Sequence, residues 1–191
     1  MPTSSPSVIP VMLKQMKRAS GSPKAVLDIG IGFGKWGFLI RETFEAGPHQ
    51  RWQREDWRIK IEGIEVFDKY VGPHQRSIYD EIHIGNAFEV IDGLGQFDFV
   101  ILGDVIEHFT KEQGHELLGK VAKHTKRILI STPLGFMAGG HKQENEHEVH
   151  KSGWVAEDFR KHGVLNHEMV RCDFWGFKQW LIVALIEVKI D

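Results

Sequence analysis

The sequence has little cysteine, almost no surplus of charge and no long apolar run, and each absence excludes a class of protein. Cys172 is the only cysteine among the 191 residues, so a disulfide framework is excluded and a cysteine-based zinc site is not expected. The formal net charge of −2 provides no overall attraction for nucleic acid. No apolar run approaches the ~20 residues of a membrane span, and residues 1–20 lack the pattern of a secretory signal. These features favour a cytoplasmic protein.

What remains is the composition of an ordinary globular domain, with 41% hydrophobic and 26% charged residues. We divide the chain into residues 1–24, a tail and a short helix, and residues 25–191, a single domain. Segments typical of helices lie at 8–18, 35–45, 70–77, 111–124 and 154–162. Segments typical of strands lie at 25–29, 59–66, 82–84, 97–102, 127–131, 164–171 and 180–188.

The order of these segments determines the predicted fold. Strands that alternate with helices form parallel sheets with helices on both faces. The last two strands have only a short connection between them, so they should pair as an antiparallel hairpin at one edge. The sequence therefore predicts an α/β fold: a Rossmann-like, doubly wound, seven-stranded and mostly parallel sheet with an antiparallel C-terminal edge hairpin.

The segment VLDIGIGFGKWG places glycines directly after the first strand, where they let the backbone approach a ligand closely. Gly32, Gly34 and Gly37 match the dinucleotide fingerprint G-x-G-x-x-G. Asp28 followed by Gly30, Gly32 and Gly34 matches a second pattern, an acid with three alternate glycines. A carboxylate suits a cofactor with a cationic amine better than a pyrophosphate, which it would repel. A simpler alternative is that Asp28 only accepts hydrogen bonds from loop amides.

From Val26 to Asp158 the chain resembles class I S-adenosylmethionine-dependent methyltransferases. Besides VLDIGIGFG, the resemblance rests on IEGIE, GNA and FDFVILGDVIEHF, which follow in the order of the family's motifs. In that family the acid matched by Glu65 binds the ribose hydroxyls, and residues matched by 85–87 meet the adenine, although Asn86 stands where aspartate is commoner. The resemblance implies S-adenosyl-L-methionine as cofactor, bound by Asp28, Gly30, Gly32, Gly34, Glu65, Val66, Asn86, Ala87, Gly103 and Asp104.

Methyl transfer directs attention to the residues after the fourth strand. The cofactor supplies the activated methyl group, and the protein must align the acceptor and help it to lose a proton. Asp104, Glu107 and His108 occupy positions i, i+3 and i+4, which share one face if a helical turn follows the strand. A long polar loop after the fifth strand adds His147 and His150. We take Glu107, His108, His147 and His150 as catalytic candidates, with one histidine as the general base.

The resemblance thus implies an enzyme, a methyltransferase that acts on an oxygen, or less readily a nitrogen, of a small-molecule or sugar acceptor. The polar loop at 134–152, which also contains His141, would cover the acceptor, and Phe136 would line the pocket. The N-terminal helix or the second subunit of a homodimer could add further cover. Neither a membrane nor a nucleic acid is the expected partner.

Several alternatives stay open. Asp104, Glu107, His108 and His150 are similar to the metal site of small-RNA 3′-terminal 2′-O-methyltransferases, which implies a divalent ion and an RNA acceptor. Those enzymes usually carry glutamate at the first position, and the chain shows no basic-aromatic patch for RNA. Glu107 and His108 could instead only order the loop through hydrogen bonds. Outside the methyltransferases, the chain could be a non-catalytic scaffold that kept the cofactor site, or a dehydrogenase, which would explain neither DVIEHF nor the hairpin.

Overall fold

The structure, a computed structural model, describes residues 3–138, 145–173 and 178–189. Its strands are β1 Ala25–Ile29, β2 Lys60–Glu65, β3 Glu81–Ile84, β4 Phe99–Gly103, β5 Arg127–Pro133, β6 Gly163–Cys172 and β7 Gln179–Val188. Its α-helices are α1 Ile9–Ala19, α2 Lys35–Arg41, α3 Gly47–His49, α4 Pro73–Ile78, α5 Ala87–Val90, α6 Lys111–Val121 and α7 Ala156–Arg160. Within these ranges, no helix has the length and apolar character needed to cross a membrane.

The seven strands form one sheet in the order β3-β2-β1-β4-β5-β7-β6. β1 to β5 pair in parallel, whereas β7 pairs antiparallel with both β5 and β6. The register of the last parallel strand places Leu129 opposite Leu185 of β7. The predicted α/β fold is confirmed in its seven strands, their directions and the C-terminal hairpin.

Helices cover both faces of the sheet, and alternate residues of each strand supply the two cores. Along β4, Phe99 and Ile101 pack on the face covered by α1 and α2. Val100 and Leu102 point the other way, toward α6 and Phe159 of α7. All of these side chains are buried, which explains why the central strands read as continuous apolar runs rather than alternating ones.

The N-terminal helix α1 belongs to the first of these cores. Met12 and Met16 are fully buried there, and α1 contacts β5 and β7. Residues 3–5, which precede α1, therefore lie at the carboxyl edge of the sheet and line the cavity described below.

The helix predicted at 35–45 departs from regular geometry. α2 ends at Arg41, a π-helical turn follows at Glu42–Ala46, and α3 continues to His49. Glu45 in the wider turn is fully buried and accepts hydrogen bonds from the amides of Arg58 and Ile59, at 2.6 and 2.7 Å. These bonds fix the start of β2 against the end of α2, which a sequence pattern alone does not reveal.

Candidate active site

A cavity of about 710 Å³ opens at the carboxyl ends of β1, β2, β4 and β5. In doubly wound sheets this edge is where ligands bind, because the connections there splay apart. The predicted site residues on its wall are Gly30, Gly32, Glu65, Val66, Asn86, Ala87, Gly103, Asp104, Glu107, His108, His147 and His150. Asp28 and Gly34 are the two predicted contact residues that do not line it.

The glycine loop forms the floor of the cavity. Gly30 has a φ of 72°, and a Cβ there would lie 2.5 Å from Cγ2 of Val105. Both facts require glycine, since a side chain would be strained and would clash. The Gly30 amide donates to the carbonyl oxygen of Ile64 at 2.8 Å, which holds the loop against β2. Gly34 also has a positive φ, but it packs against Gln75 rather than the cavity.

Asp28 lies behind the glycine loop, fully buried. Its Oδ2 accepts a hydrogen bond of 2.5 Å from the Tyr79 hydroxyl, and its Oδ1 has no partner among the described residues. Burial raises the pKa of Asp28 to about 7, opposed by the Tyr79 hydrogen bond. Asp28 therefore supports the glycine loop through Tyr79 and does not itself line the cavity, and its contact with a ligand amine stays a prediction.

Glu65 stands at the end of β2 with its carboxylate held by backbone amides. Oε2 accepts from the Gly32 amide at 2.9 Å and Oε1 from the Phe67 amide at 3.1 Å. Burial is the main cause of a raised pKa at Glu65, and the two amide hydrogen bonds oppose it. Each carboxylate oxygen has a second lone pair, so Glu65 can still accept hydrogen bonds from the cavity.

The end of β3 supplies a third part of the wall. The Asn86 side-chain oxygen accepts a hydrogen bond from the Phe88 amide at 3.0 Å and so caps α5. This leaves the side-chain NH₂ of Asn86 as a donor. Val66, Ala87 and Phe88 add an apolar surface beside it. An apolar surface beside one polar group suits an aromatic base.

Asp104 lies outside the helical turn that was expected to include it. Its φ is 55°, and the turn that follows is a 3₁₀ helix at Ile106–His108. Asp104 is instead fixed to β5, because its amide donates to the Ser131 carbonyl at 2.8 Å and its Oδ1 accepts from the Ser131 hydroxyl at 3.2 Å. The helical turn that the predicted common face required therefore does not include Asp104, although Asp104, Glu107 and His108 all line the cavity.

Glu107 is 2% exposed and lines the cavity beside His108. Its Oε2 accepts a hydrogen bond of 3.0 Å from the Thr132 hydroxyl. Burial, followed by the charge of Asp104, raises the pKa of Glu107 well above its usual range. The backbone oxygen of Glu107 accepts hydrogen bonds from the amides of Lys151 and Ser152. These bonds hold the C-terminal end of the polar loop beside the 3₁₀ turn that contains Glu107.

His108 and His150 meet edge to face, with ring centroids 4.9 Å apart. Nδ1 of His150 lies 2.8 Å from the Met137 carbonyl, and Nδ1 of His108 lies 3.4 Å from the Val149 carbonyl. A carbonyl oxygen only accepts, so the geometry assigns the proton of His150 to Nδ1 and leaves its Nε2 as an acceptor. Burial, reinforced by His150, lowers the pKa of His108 to about 4.

Three of the four residues of the alternative metal site lie close enough together to bind an ion. Glu107, His108 and His150 each offer a ligand atom, and these atoms lie within 4.8 Å of one another. Asp104 is not part of this group. His147 lies on a neighbouring 3₁₀ turn, Glu146–Glu148, and lines the cavity without joining the three.

The structure adds cavity residues that sequence reasoning missed. They include Lys35, Ser4, Ser5, Met137, Cys172 and Gln179. The position of Lys35, directly after the third glycine, was a signal that could have found it. Phe136 does not line the cavity, because it is 64% exposed and Met137 takes the place expected for it. His141 lies outside the described residues.

No protein-family model matches the chain, and no curated protein gives a significant match. Solved structures do match. A SAM-dependent methyltransferase from Archaeoglobus fulgidus has a TM-score of 0.67 at 15% identity, covering 94% of this chain and 93% of that one. The N-terminal domain of EvdMO1, solved with S-adenosylhomocysteine (SAH) and D-fucose, has a TM-score of 0.65 at 13% identity, covering 93% and 81%.

A third similar structure is 1,6-didemethyltoxoflavin-N1-methyltransferase from Burkholderia thailandensis, solved with 1,6-didemethyltoxoflavin and SAH. Its TM-score is 0.65 at 15% identity, and the match covers 97% of this chain and 80% of that one. At these identities the comparisons establish a shared fold.

Proposed function

We propose that this protein is an S-adenosylmethionine-dependent methyltransferase that acts on an oxygen of a small-molecule or sugar acceptor. One observation carries the proposal: the Glu65 carboxylate, held by the amides of Gly32 and Phe67, faces a cavity at the strand ends. A buried acid with spare lone pairs at this place is suited to a pair of vicinal hydroxyls. The structurally similar proteins solved with SAH support the same cofactor class.

The residues present fit such a cofactor along the whole cavity. Glu65 would accept from the ribose hydroxyls, and the NH₂ group of Asn86 together with Val66 and Ala87 would hold the adenine. The amino-acid end would lie over the glycine loop near Gly103 and Asp104. When bound, the cofactor supplies a methyl group on a cationic sulfur, which is activated for displacement.

The chain's own task is to orient the acceptor oxygen and take its proton. We assign proton acceptance to Nε2 of His150, since Nδ1 of that ring donates to the Met137 carbonyl and the ring lines the cavity, and His108 is the alternative base. The imidazole would take the hydroxyl proton of the acceptor and gain one positive charge, while the new oxygen–methyl bond would replace the sulfur–methyl bond and leave the sulfur as a neutral thioether. The low pKa of His108 keeps that ring neutral at neutral pH. Glu107 positions the pair through its backbone oxygen and is not itself an acceptor of this proton.

A small acceptor fits the architecture better than a polymer. The described residues of the polar loop, among them Met137, His147 and His150, line the cavity together with residues 3–5. Of the similar structures named above, one was solved in the presence of the sugar D-fucose and another with the heterocycle 1,6-didemethyltoxoflavin bound. We therefore propose acceptors of that size.

A second candidate is a metal-assisted transfer, favoured by the closeness of Glu107, His108 and His150. A divalent ion there would replace the imidazole base by lowering the pKa of a bound hydroxyl. Calorimetric titration with Mn²⁺ distinguishes the two candidates. Binding that is lost in Glu107→Gln and His150→Asn supports the metal, whereas the absence of any binding heat leaves the histidine base.

The cofactor proposal is tested by calorimetric titration with SAH. We expect Glu65→Gln to weaken binding by about tenfold or more, because a charged hydrogen-bond acceptor is lost. Glu62→Gln is the matched control: Glu62 lies on the same strand, but its carboxylate bonds Lys60 and His83 outside the cavity. Equal weakening in both variants, or no binding by the folded wild type, would overturn the proposal.

A further inference from the structure

Lys35 places a cation inside the cavity that the proposed transfer does not use. Its side chain is half-buried, and burial lowers its pKa, with the charge of Asp104 opposing that shift. In the ranges that the structure describes, Lys35 forms no ion pair, and its ammonium donates a hydrogen bond to the backbone oxygen of Ser4. The charge of Asp104 acts on Lys35 without a direct ion pair, and removing a cation partly from water is costly, so this site favours an anionic ligand within hydrogen-bond distance.

The segment at residues 3–5 fixes the direction of this ammonium. The Ser5 hydroxyl lies 3.0 Å from Sγ of Cys172 and also caps the 3₁₀ turn Pro6–Val8 that leads into α1. Ser4 is therefore held between Lys35 and the sheet. An ammonium has three N–H donors, and Ser4 occupies one of them. The other two are available to a ligand in the cavity.

We propose that Lys35 is the carboxylate-binding residue of this cavity, oriented by the Ser4 carbonyl. Lys35 and Asp104 carry opposite charges and line the same cavity, so together they match a zwitterion, with the carboxylate at Lys35 and the ammonium at Asp104. The inference rests on the proposed function, because the amino-acid end of the cofactor is one source of such a carboxylate. An acidic acceptor is the other source.

The test compares Lys35→Gln with Lys17→Gln, a control that removes an exposed lysine of α1. Calorimetry gives the affinity for SAH and for 5′-methylthioadenosine, which keeps the nucleoside and thioether but lacks the amino-acid end. NMR titration of the SAH-saturated protein with benzoate gives the affinity for a free carboxylate. Lys35→Arg, which keeps the charge, should retain most of the wild-type affinity.

If the carboxylate belongs to the cofactor, Lys35→Gln weakens SAH by about tenfold or more and leaves methylthioadenosine unchanged. If it belongs to the acceptor, Lys35→Gln leaves SAH unchanged and abolishes benzoate binding. The proposal is overturned if Lys35→Gln and Lys17→Gln behave alike with all three probes. Should the wild type bind neither nucleoside, the proposed function fails, and benzoate titration of the protein alone still decides the role of Lys35.

Discussion

Tyr79 donates a hydrogen bond of 2.5 Å to Asp28, a residue 51 positions earlier, and neither side chain lines the cavity. The Tyr79 hydroxyl also accepts from the Gly37 amide at 3.2 Å, so one hydroxyl joins β1 to α2. Burial raises the pKa of Tyr79 well above its usual range. The acid of the glycine motif therefore acts here as a buried support for the loop.

The first prediction concerns the pH dependence that Asp28 gives to the fold. A carboxyl whose pKa is raised on folding stabilises the fold fully below its ordinary value of 3.8, and that stability is lost as the pH rises through about 7. Each tenfold change in proton affinity corresponds to about 1.4 kcal/mol. Asp28→Asn should therefore gain stability relative to the wild type by a few kcal/mol between pH 4 and pH 8.

Urea unfolding of both proteins across that range measures the difference. Asp56→Asn, at an exposed turn, is the control and should follow the wild type. If Asp28→Asn shows the same pH dependence as the wild type, the carboxyl is not the titrating group we infer.

The second prediction concerns a pair of histidines, and here the stability of the fold decreases as the pH falls. Nδ1 of His115 and Nε2 of His162 lie 2.9 Å apart, a distance that accommodates one shared proton. Burial, followed by the charge of His115, lowers the pKa of His162 from 6.5 to about 4. Because the folded pKa is depressed, this pair stabilises the fold fully above pH 6.5, and that stability is lost as the pH falls through about 4.

His162→Gln should thus be less sensitive to acid than the wild type, and His49→Gln, which changes an exposed histidine, should not. Thermal unfolding between pH 4 and pH 7 checks this. An acid sensitivity that persists in His162→Gln would show that the two rings do not share the proton as inferred.

A third prediction tests the close contact between β4 and the cavity wall. A Cβ at Gly103 would lie 2.0 Å from Nε1 of Trp36, which is nearly fully buried. Gly103→Ala should therefore destabilise the fold by about 1–3 kcal/mol through overpacking. Gly119→Ala on α6 is the control, because its Cβ meets nothing within 4 Å and alanine favours a helix by about 0.5–1 kcal/mol. Chemical denaturation measures both, and a neutral Gly103→Ala would contradict the contact.

The fold could be predicted from sequence because its signals are local. Most of the strands and the longer helices carry their own apolar pattern, and the short connection between β6 and β7 specifies a hairpin. The edge of the sheet that holds the cavity follows from the same topology, which is why Glu65 and His150 could be predicted to lie there.

The parts of the site that the sequence did not predict depend on contacts between distant residues or on a single backbone angle. Nothing near Asp28 in the sequence indicates that Tyr79 will occupy its carboxylate. The φ of 55° at Asp104 breaks an i, i+3, i+4 pattern that reads as helical. The Lys35 ammonium is oriented by the Ser4 carbonyl, and Ser4 lies at the cavity because the chain enters α1 from there.

Amide hydrogen exchange with and without saturating SAH tests the central claim most directly, because it locates the cofactor. We predict slower exchange in four segments that line one cavity: residues 28–37, 62–68, 84–89 and 101–109. Protection in these segments together would place the ligand at the carboxyl edge of the sheet. Unchanged exchange in all four, in a protein that is folded, would contradict the assignment of this cavity to S-adenosylmethionine.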